Sequence, residues 1–234
     1  MIEQLVRAAV SGRPTGSVQV VRDDCWLRVE PARPGPAQGW KLHVSATVPA
    51  AEAVLRAVLP TLVRDPVRFK VAASVEQLRR LNSNDAPLAQ VGKFVTVYPA
   101  DDEQAVRLAK ALDDATAGLR GPAVPSDRPL RPGSLVHYRY GSFRPRYLQT
   151  PLGRLVPAIA APDGTLEADL RACPYAAPAW ARDPFGAPAA GSAPLLGGRY
   201  RVEALLHQAP RGAVELAVDT VTGHRRVLKS ARRD

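Results

Sequence analysis

Long apolar runs are missing. Nowhere in the 234 residues are there the roughly 18 uninterrupted hydrophobic residues of a membrane span, and residues 1–10 carry Glu3 and Arg7 where a signal peptide needs an apolar centre. Neither membrane insertion nor secretion is expected. Cysteine is also scarce: Cys25 and Cys173 are far apart, with no His or Cys at ligand spacing. That pattern argues against a structural zinc and for reduced thiols in a cytoplasmic setting. Neither thiol is expected to be catalytic. There is no Lys/Arg block, no interleaving of basic and aromatic residues of the RNA-binding kind, and no recognisable DNA-reading helix, so no nucleic-acid partner is expected.

Positive charge, by contrast, is plentiful, at a formal +10. An anionic partner is compatible with it. The surplus is mostly Arg spread along the chain beside abundant Ala and Pro, a bias that a GC-rich genome also produces, and most of it reads as solvated surface. Hydrophobic residues at 46% and charged residues at 23% are ordinary for a globular protein, and the length suits one substantial domain plus a fragment of another.

Periodicity divides the chain into three parts. Residues 1–150 alternate strands and helices. Residues 2–9 have the spacing of a short amphipathic helix; 18–21 and 26–29 read as strands; 39–45 is a strand entered from a Pro/Gly-rich loop. A helix from Pro49 to about Val63 buries Val54, Leu55, Val58, Leu59 and Leu62, with Pro60 expected to kink or shorten it. Residues 67–71 form a strand, Ser74-Val75-Glu76-Gln77 is a capping box, and residues 82–91 are a surface loop. Residues 92–98 form the strongest strand, and a helix from Asp101 and Asp102 stops near Gly118. After a Pro-rich connector comes a strand at 135–140 and an aromatic, Arg-rich turn. Residues 151–198 read as a Pro/Gly-rich linker or ordered arm. Residues 199–234 read as three short antiparallel strands. Local pattern alone permits a parallel sheet in the first part.

Gly39-Trp40-Lys41-Leu42-His43-Val44-Ser45 puts Trp40, Leu42 and Val44 on one face of a strand and Lys41, His43 and Ser45 on the other. An ammonium beside an imidazole, backed by an apolar face, suits a phosphate. Strands around Lys70, Lys93 and Arg139 repeat the theme of a cation on an apolar strand.

In order along the chain stand that stretch, Phe69-Lys70, Gly92-Lys93-Phe94-Val95-Thr96-Val97-Tyr98-Pro99, Tyr138-Arg139-Tyr140-Gly141 and Asp183-Pro184-Phe185. Together they resemble the N-terminal lyase domain of class III lanthipeptide synthetases, itself similar to the bacterial effector phosphothreonine lyases. The resemblance covers about residues 26–185. It implies an α+β fold with a mixed or antiparallel sheet and packed helices. Residues 199–234 resemble the opening strands of a protein kinase: 206–212 stand where a glycine-rich loop belongs, with only Gly212 a glycine, and Lys229 stands at the phosphate-pairing lysine. With the chain ending at Asp234, the kinase part is expected to be incomplete and inactive.

The same resemblance implies elimination of phosphate from phosphoserine or phosphothreonine of a precursor peptide, giving dehydroalanine or dehydrobutyrine. It implies Lys70 as base and His43 as acid, with Arg28, Lys41, Lys93, Arg139 and, more weakly, Arg146 holding phosphate, and no metal or organic cofactor. Expected partners are the phosphorylated precursor, leader and core, and the kinase and cyclase domains of a longer enzyme. A lysine base must be neutral, so neighbouring cations have to lower its pKa from about 10.4; His43 has to be protonated, which a bound phosphate favours.

Each residue has a plainer rival. His43 alone would be structural, Lys70 a solvated edge-strand lysine, Lys93 a guard on a sticky strand, and Arg139 a stacking partner of Tyr138 and Tyr140. Arg79 and Arg80 are equally placed to reach the site. One departure stands out: residues 84–91 have no basic residue, where the resembling family carries several. The competing reading is an inactive module that binds a phosphopeptide or leader.

Overall fold

The structure is a computed structural model describing all residues except 15, 33, 172–174, 187–194, 210–211 and 232–234. In chain order its elements are α1 (Ile2–Val10), β1 (Val18–Arg22), β2 (Trp26–Pro31), β3 (Gln38–Val44), α2 (Ala51–Arg64), β4 (Arg68–Ala72), α3 (Val75–Leu81), β5 (Val95–Tyr98), α4 (Asp102–Ala115), β6 (Arg128–Pro129), β7 (Val136–Ser142), β8 (Tyr147–Gln149), β9 (Leu155–Ala160), β10 (Leu166–Ala168), β11 (Tyr200–Ala209), β12 (Gly212–Asp219) and β13 (Arg225–Ala231).

β1 to β7 form one seven-stranded sheet in the order β1-β2-β4-β5-β3-β7-β6, and every pairing in it is antiparallel. This is the α+β architecture with packed helices, and the parallel alternative is gone. β3 leaves β2 across the positions that β4 and β5 later fill, so the Pro/Gly-rich loop before β3 is a crossover and not a hairpin.

The period-2 alternation sorts the two faces. Leu27, Val29, Trp40, Leu42, Val44, Phe69, Val71, Val97 and Tyr138 join one core with Val54, Leu55, Val58 and Leu62 of α2 and Leu108 and Leu112 of α4. Each fully buried Leu or Val there contributes about 1.5–3 kcal/mol. Ser74 caps α3 by accepting the Gln77 N–H at 3.0 Å, and Asp101 caps α4 by accepting that of Gln104 at 2.7 Å.

Two local expectations change. Pro60 does not shorten α2, which continues to Arg64; its ring lies on the exposed side, where water can take the Arg56 carbonyl that an N–H would have bonded. The strand expected over residues 92–98 begins only at Val95. Gly92 has φ +76°, Lys93 N–H bonds back to Gln90 O, and Phe94 N–H reaches Val44 O. Lys93 therefore sits in the turn before the strand.

In residues 151–198, β8, β9 and β10 form a three-stranded antiparallel sheet, and the following segment wraps back. Phe185 packs on Tyr138 at 4.1 Å and on Trp40 at 5.9 Å, while Asp183 takes Arg128 at 2.7 Å. β11, β12 and β13 form the expected antiparallel meander. Pro210 and Arg211 of the glycine-loop counterpart, and Cys173, lie outside the described residues; Cys25 is exposed and free. Among the described residues no helix is long and apolar enough to cross a membrane.

Candidate active site

The face of the sheet opposite the helices carries the polar residues, and strand register aligns them. Arg28, Lys70, Thr96, His43 and His137 are successive cross-strand partners on β2, β4, β5, β3 and β7. In the next row Lys41 faces Arg139. Lys70 and His43 thus share a face with only Thr96 between them, about 10 Å apart at a strand spacing of about 4.8 Å. Lys41, His43, Lys70, Lys93 and Arg139 line one cavity of about 130 Å³, together with Arg171. At roughly 30 Å³ per water, this volume is on the scale of a phosphate group and too small for a nucleotide.

Two carboxylates back the cations. Asp127, whose side chain is fully buried, pairs with His43 through Nδ1 and with Lys93 at 2.9 Å. Asp169 binds Arg139 at 2.6 Å. Lys41 donates to Ser142 O at 2.9 Å, and the Lys70 amine lies 3.7 Å over the Trp26 ring. His137 positions the Asp127 loop: its Nε2 accepts the Val124 N–H at 3.3 Å while Nδ1 faces Leu135 O at 3.2 Å. Arg139 keeps its buried Nε–H without an acceptor among the described residues.

The electrostatics follow from burial among like charges. Burial, helped by Arg139, Lys93 and Arg171, lowers Lys41 to about 7. Burial, helped by Arg28, Lys93 and Arg171, brings Lys70 to about 7 as well. Lys93 is lowered by burial, against the pull of Asp127. Burial takes His43 down to about 3, also against Asp127, which favours the neutral imidazole. Burial works against the ionised form of Asp127, yet His43 and Lys93 hold the group well below the usual carboxylate range.

Five of the seven expected site residues meet in this cavity. Arg28 is one strand away from Lys70, ion-paired with Asp23, and does not line it. Arg146 does not line it either; its carbonyl accepts the Ala158 N–H at the edge of the small sheet. Arg79 and Arg80 lie with Glu76 on exposed α3, away from the cavity wall. The plainer readings of two residues also change: Lys70 is on an interior strand, and Arg139 is held by Asp169 while its guanidinium lies 5.5 Å from the Tyr175 ring. Asp127, His137, Asp169 and Arg171 were not anticipated. All but His137 come from segments without periodicity, so no local pattern in the sequence singles them out.

Comparison with known proteins places this geometry in a lineage. The family described as "RamC, N-terminal domain" matches residues 6–194. The chain belongs to this RamC N-terminal family. The probable SapB synthase of Streptomyces coelicolor is 43% identical over 212 residues, which is 88% of this chain and 23% of the relative; the chain thus spans about a quarter of that protein's length. Among solved structures, the Salmonella plasmid virulence C protein is similar at TM-score 0.42 and 16% identity, over 57% of this chain and 70% of its own. The phosphothreonine lyase OspF from Shigella flexneri is similar at TM-score 0.42 and 15% identity, over 58% and 75%. The RamC-family match runs past residue 150 and takes in the small sheet and Phe185.

Proposed function

We propose that this chain is a carbon–oxygen lyase that eliminates phosphate from phosphoserine or phosphothreonine in a lanthipeptide precursor. The observation that carries the reading is the cavity itself: five lysine and arginine side chains line it, two carboxylates back it, and the Lys70 amine, with a pKa of about 7, shares its face with the His43 imidazole. A phosphate dianion fits that charge imbalance, and the unpartnered Arg139 Nε–H and the Arg171 guanidinium supply donors.

Lys70, with a pKa near 7, is partly neutral at physiological pH and removes the Cα proton. The electron pair of that C–H bond becomes the Cα=Cβ double bond as the Cβ–O bond breaks and phosphate leaves. Surrounding cations oppose the negative charge developing on the substrate carbonyl and on the leaving group. His43 is neutral before substrate arrives. A phosphate on one side and Asp127 on the other favour its imidazolium, so it acquires the proton that it then gives to the leaving oxygen. The family and the synthase-named relative support the precursor peptide as substrate. On this reading β11–β13 open a kinase domain, further domains including a cyclase lie in the longer enzyme, and the work is done in the cytoplasm.

The test is conversion of a synthetic phosphoserine peptide to its dehydroalanine form, read as loss of phosphoric acid by mass spectrometry. Lys70→Ala should bind the phosphopeptide yet release no phosphate. Elimination at the parent rate by that variant would remove Lys70 as base. Binding without turnover by the parent chain would leave a phosphopeptide-binding module.

A further inference from the structure

The cation cavity has a larger neighbour. Two strands carry the cavity's face onward in one direction, Lys70 leading to Arg68 on β4 and Thr96 to Tyr98 and then Ala100 past β5, and the chain leaving β7 brings Phe143 and Arg144 alongside them. Because all the pairings are antiparallel, these continuations reach the same end of the sheet. There they line a groove of about 960 Å³, with Glu30, Pro31 and Pro34 also in its wall. Tyr98 lines both spaces, with Arg68 4.9 Å from its ring and Phe143 packed on it at 5.2 Å. The groove and the cavity therefore adjoin at the Tyr98 ring.

Its lining is mixed in a way that suits polypeptide. Arg13 and Arg144 contribute positive charge, and the one lining carboxylate among the described residues, Glu30, is taken up by Arg68 at 2.6 Å. Arg144 is exposed and spends one N–H on Gly35 O at 2.9 Å. Tyr98, Val67 and the prolines supply apolar wall. From the Lys70 row to the row of Pro66 and Ala100 is four strand residues, about 13 Å at about 3.3 Å per residue.

The geometry points to this groove as the seat of the substrate polypeptide on one side of its phosphorylated residue, held extended over about four residues, with acidic side chains favoured. This assignment rests on the cavity being the phosphate site. One flank of the substrate is gripped, and the other leaves over the loop carrying Ala89 and Gln90, which has no basic residue.

The experiment uses the full chain and phosphoserine peptides with zero, two, four or six residues added on either side. KM for phosphate release should fall about tenfold or more as one flank grows to four residues, with nothing gained from six and no such series on the other flank. Ala100→Trp, placed at an exposed position, should bring the KM ratio of bare to four-residue peptide close to one. Arg56→Ala, on the outer side of α2, should preserve that ratio, and Arg144→Glu should turn a preference for Glu over Lys in the gripped flank into the reverse. The same series is read by fluorescence anisotropy with phosphonate peptides, in which a methylene replaces the bridging oxygen and elimination is blocked. A chain that shows the length series in binding but eliminates nothing retains the groove and loses the lyase reading. A flat series, equal gains on both flanks, or a series that Ala100→Trp leaves intact overturns the groove.

Discussion

Asp127 is the residue whose removal separates support from chemistry. It is a buried carboxylate between an imidazole and an ammonium that line the cavity, and it does not line the cavity itself. Its effect on a reaction must therefore pass through His43 and Lys93, which makes it a positioning residue. Asp127→Asn keeps the shape but removes the charge that favours the imidazolium, so kcat should fall at least tenfold while KM for a phosphopeptide moves little. Asp127→Ala also strands the buried Lys93 ammonium, a loss of about 3–5 kcal/mol when one member of a buried pair is deleted. Steady-state phosphate release and thermal denaturation check the two together. A KM rise with kcat intact would show that Asp127 serves binding geometry alone. Arg171 stands differently: it lines the cavity, is 36% exposed, and has Asp169 only at 4.0 Å, so Arg171→Ala should raise KM several-fold and leave stability within about 0.5 kcal/mol.

At the scale of elements, α2 tolerates a residue that should break it. Pro60 is exposed, so replacing it sacrifices no packing; Pro60→Ala restores an i→i−4 bond while freeing the unfolded chain. A proline costs about 3 kcal/mol relative to alanine inside a helix, part of which its stiffening of the unfolded state offsets, leaving an expected gain of about 1–2 kcal/mol. The midpoint of urea unfolding should rise at unchanged slope. The strands that carry Lys41, Lys70 and Arg139, and the helices packed behind them, are legible in the sequence because a period of two or of 3.6 leaves a local trace: Lys41 against Trp40, Lys70 against Phe69, the caps at Ser74 and Asp101. Asp127 and Arg171 left none. They sit in a Pro-rich connector and at the end of β10, where position is decided by distant partners such as the His137–Val124 and Arg139–Asp169 bonds. The late start of β5 was hidden for a related reason. Phe94 and Val95 are both buried, so hydrophobicity runs unbroken through a backbone turn that only the positive φ of Gly92 reveals.

For the whole molecule, gathering buried cations on one face couples folding, phosphate and protons. Lys41 and Lys70 have pKa values near 7 when folded against 10.5 as the unshifted value. Between about pH 7 and 10.5 the unfolded chain therefore holds protons that the folded chain has shed, and stability must climb with pH across that window. The empty protein should accordingly melt at higher temperature at pH 9 than at pH 7, a trend that Lys41→Met should flatten. A phosphate dianion in the cavity reverses the preference by favouring the ammonium form of Lys41 and the His43 imidazolium. Binding of inorganic phosphate near pH 7.5 should then raise the melting temperature, as any ligand of the folded state does, and draw protons from solution. Calorimetry in Tris and in PIPES gives the proton count, because the two buffers differ in ionisation enthalpy. Apparent binding heats should differ by about one to two protons' worth per phosphate, and less in Lys41→Met. Equal heats in both buffers would mean that the lysines are already charged in the empty cavity, and Lys70 would then have no neutral amine with which to begin the elimination.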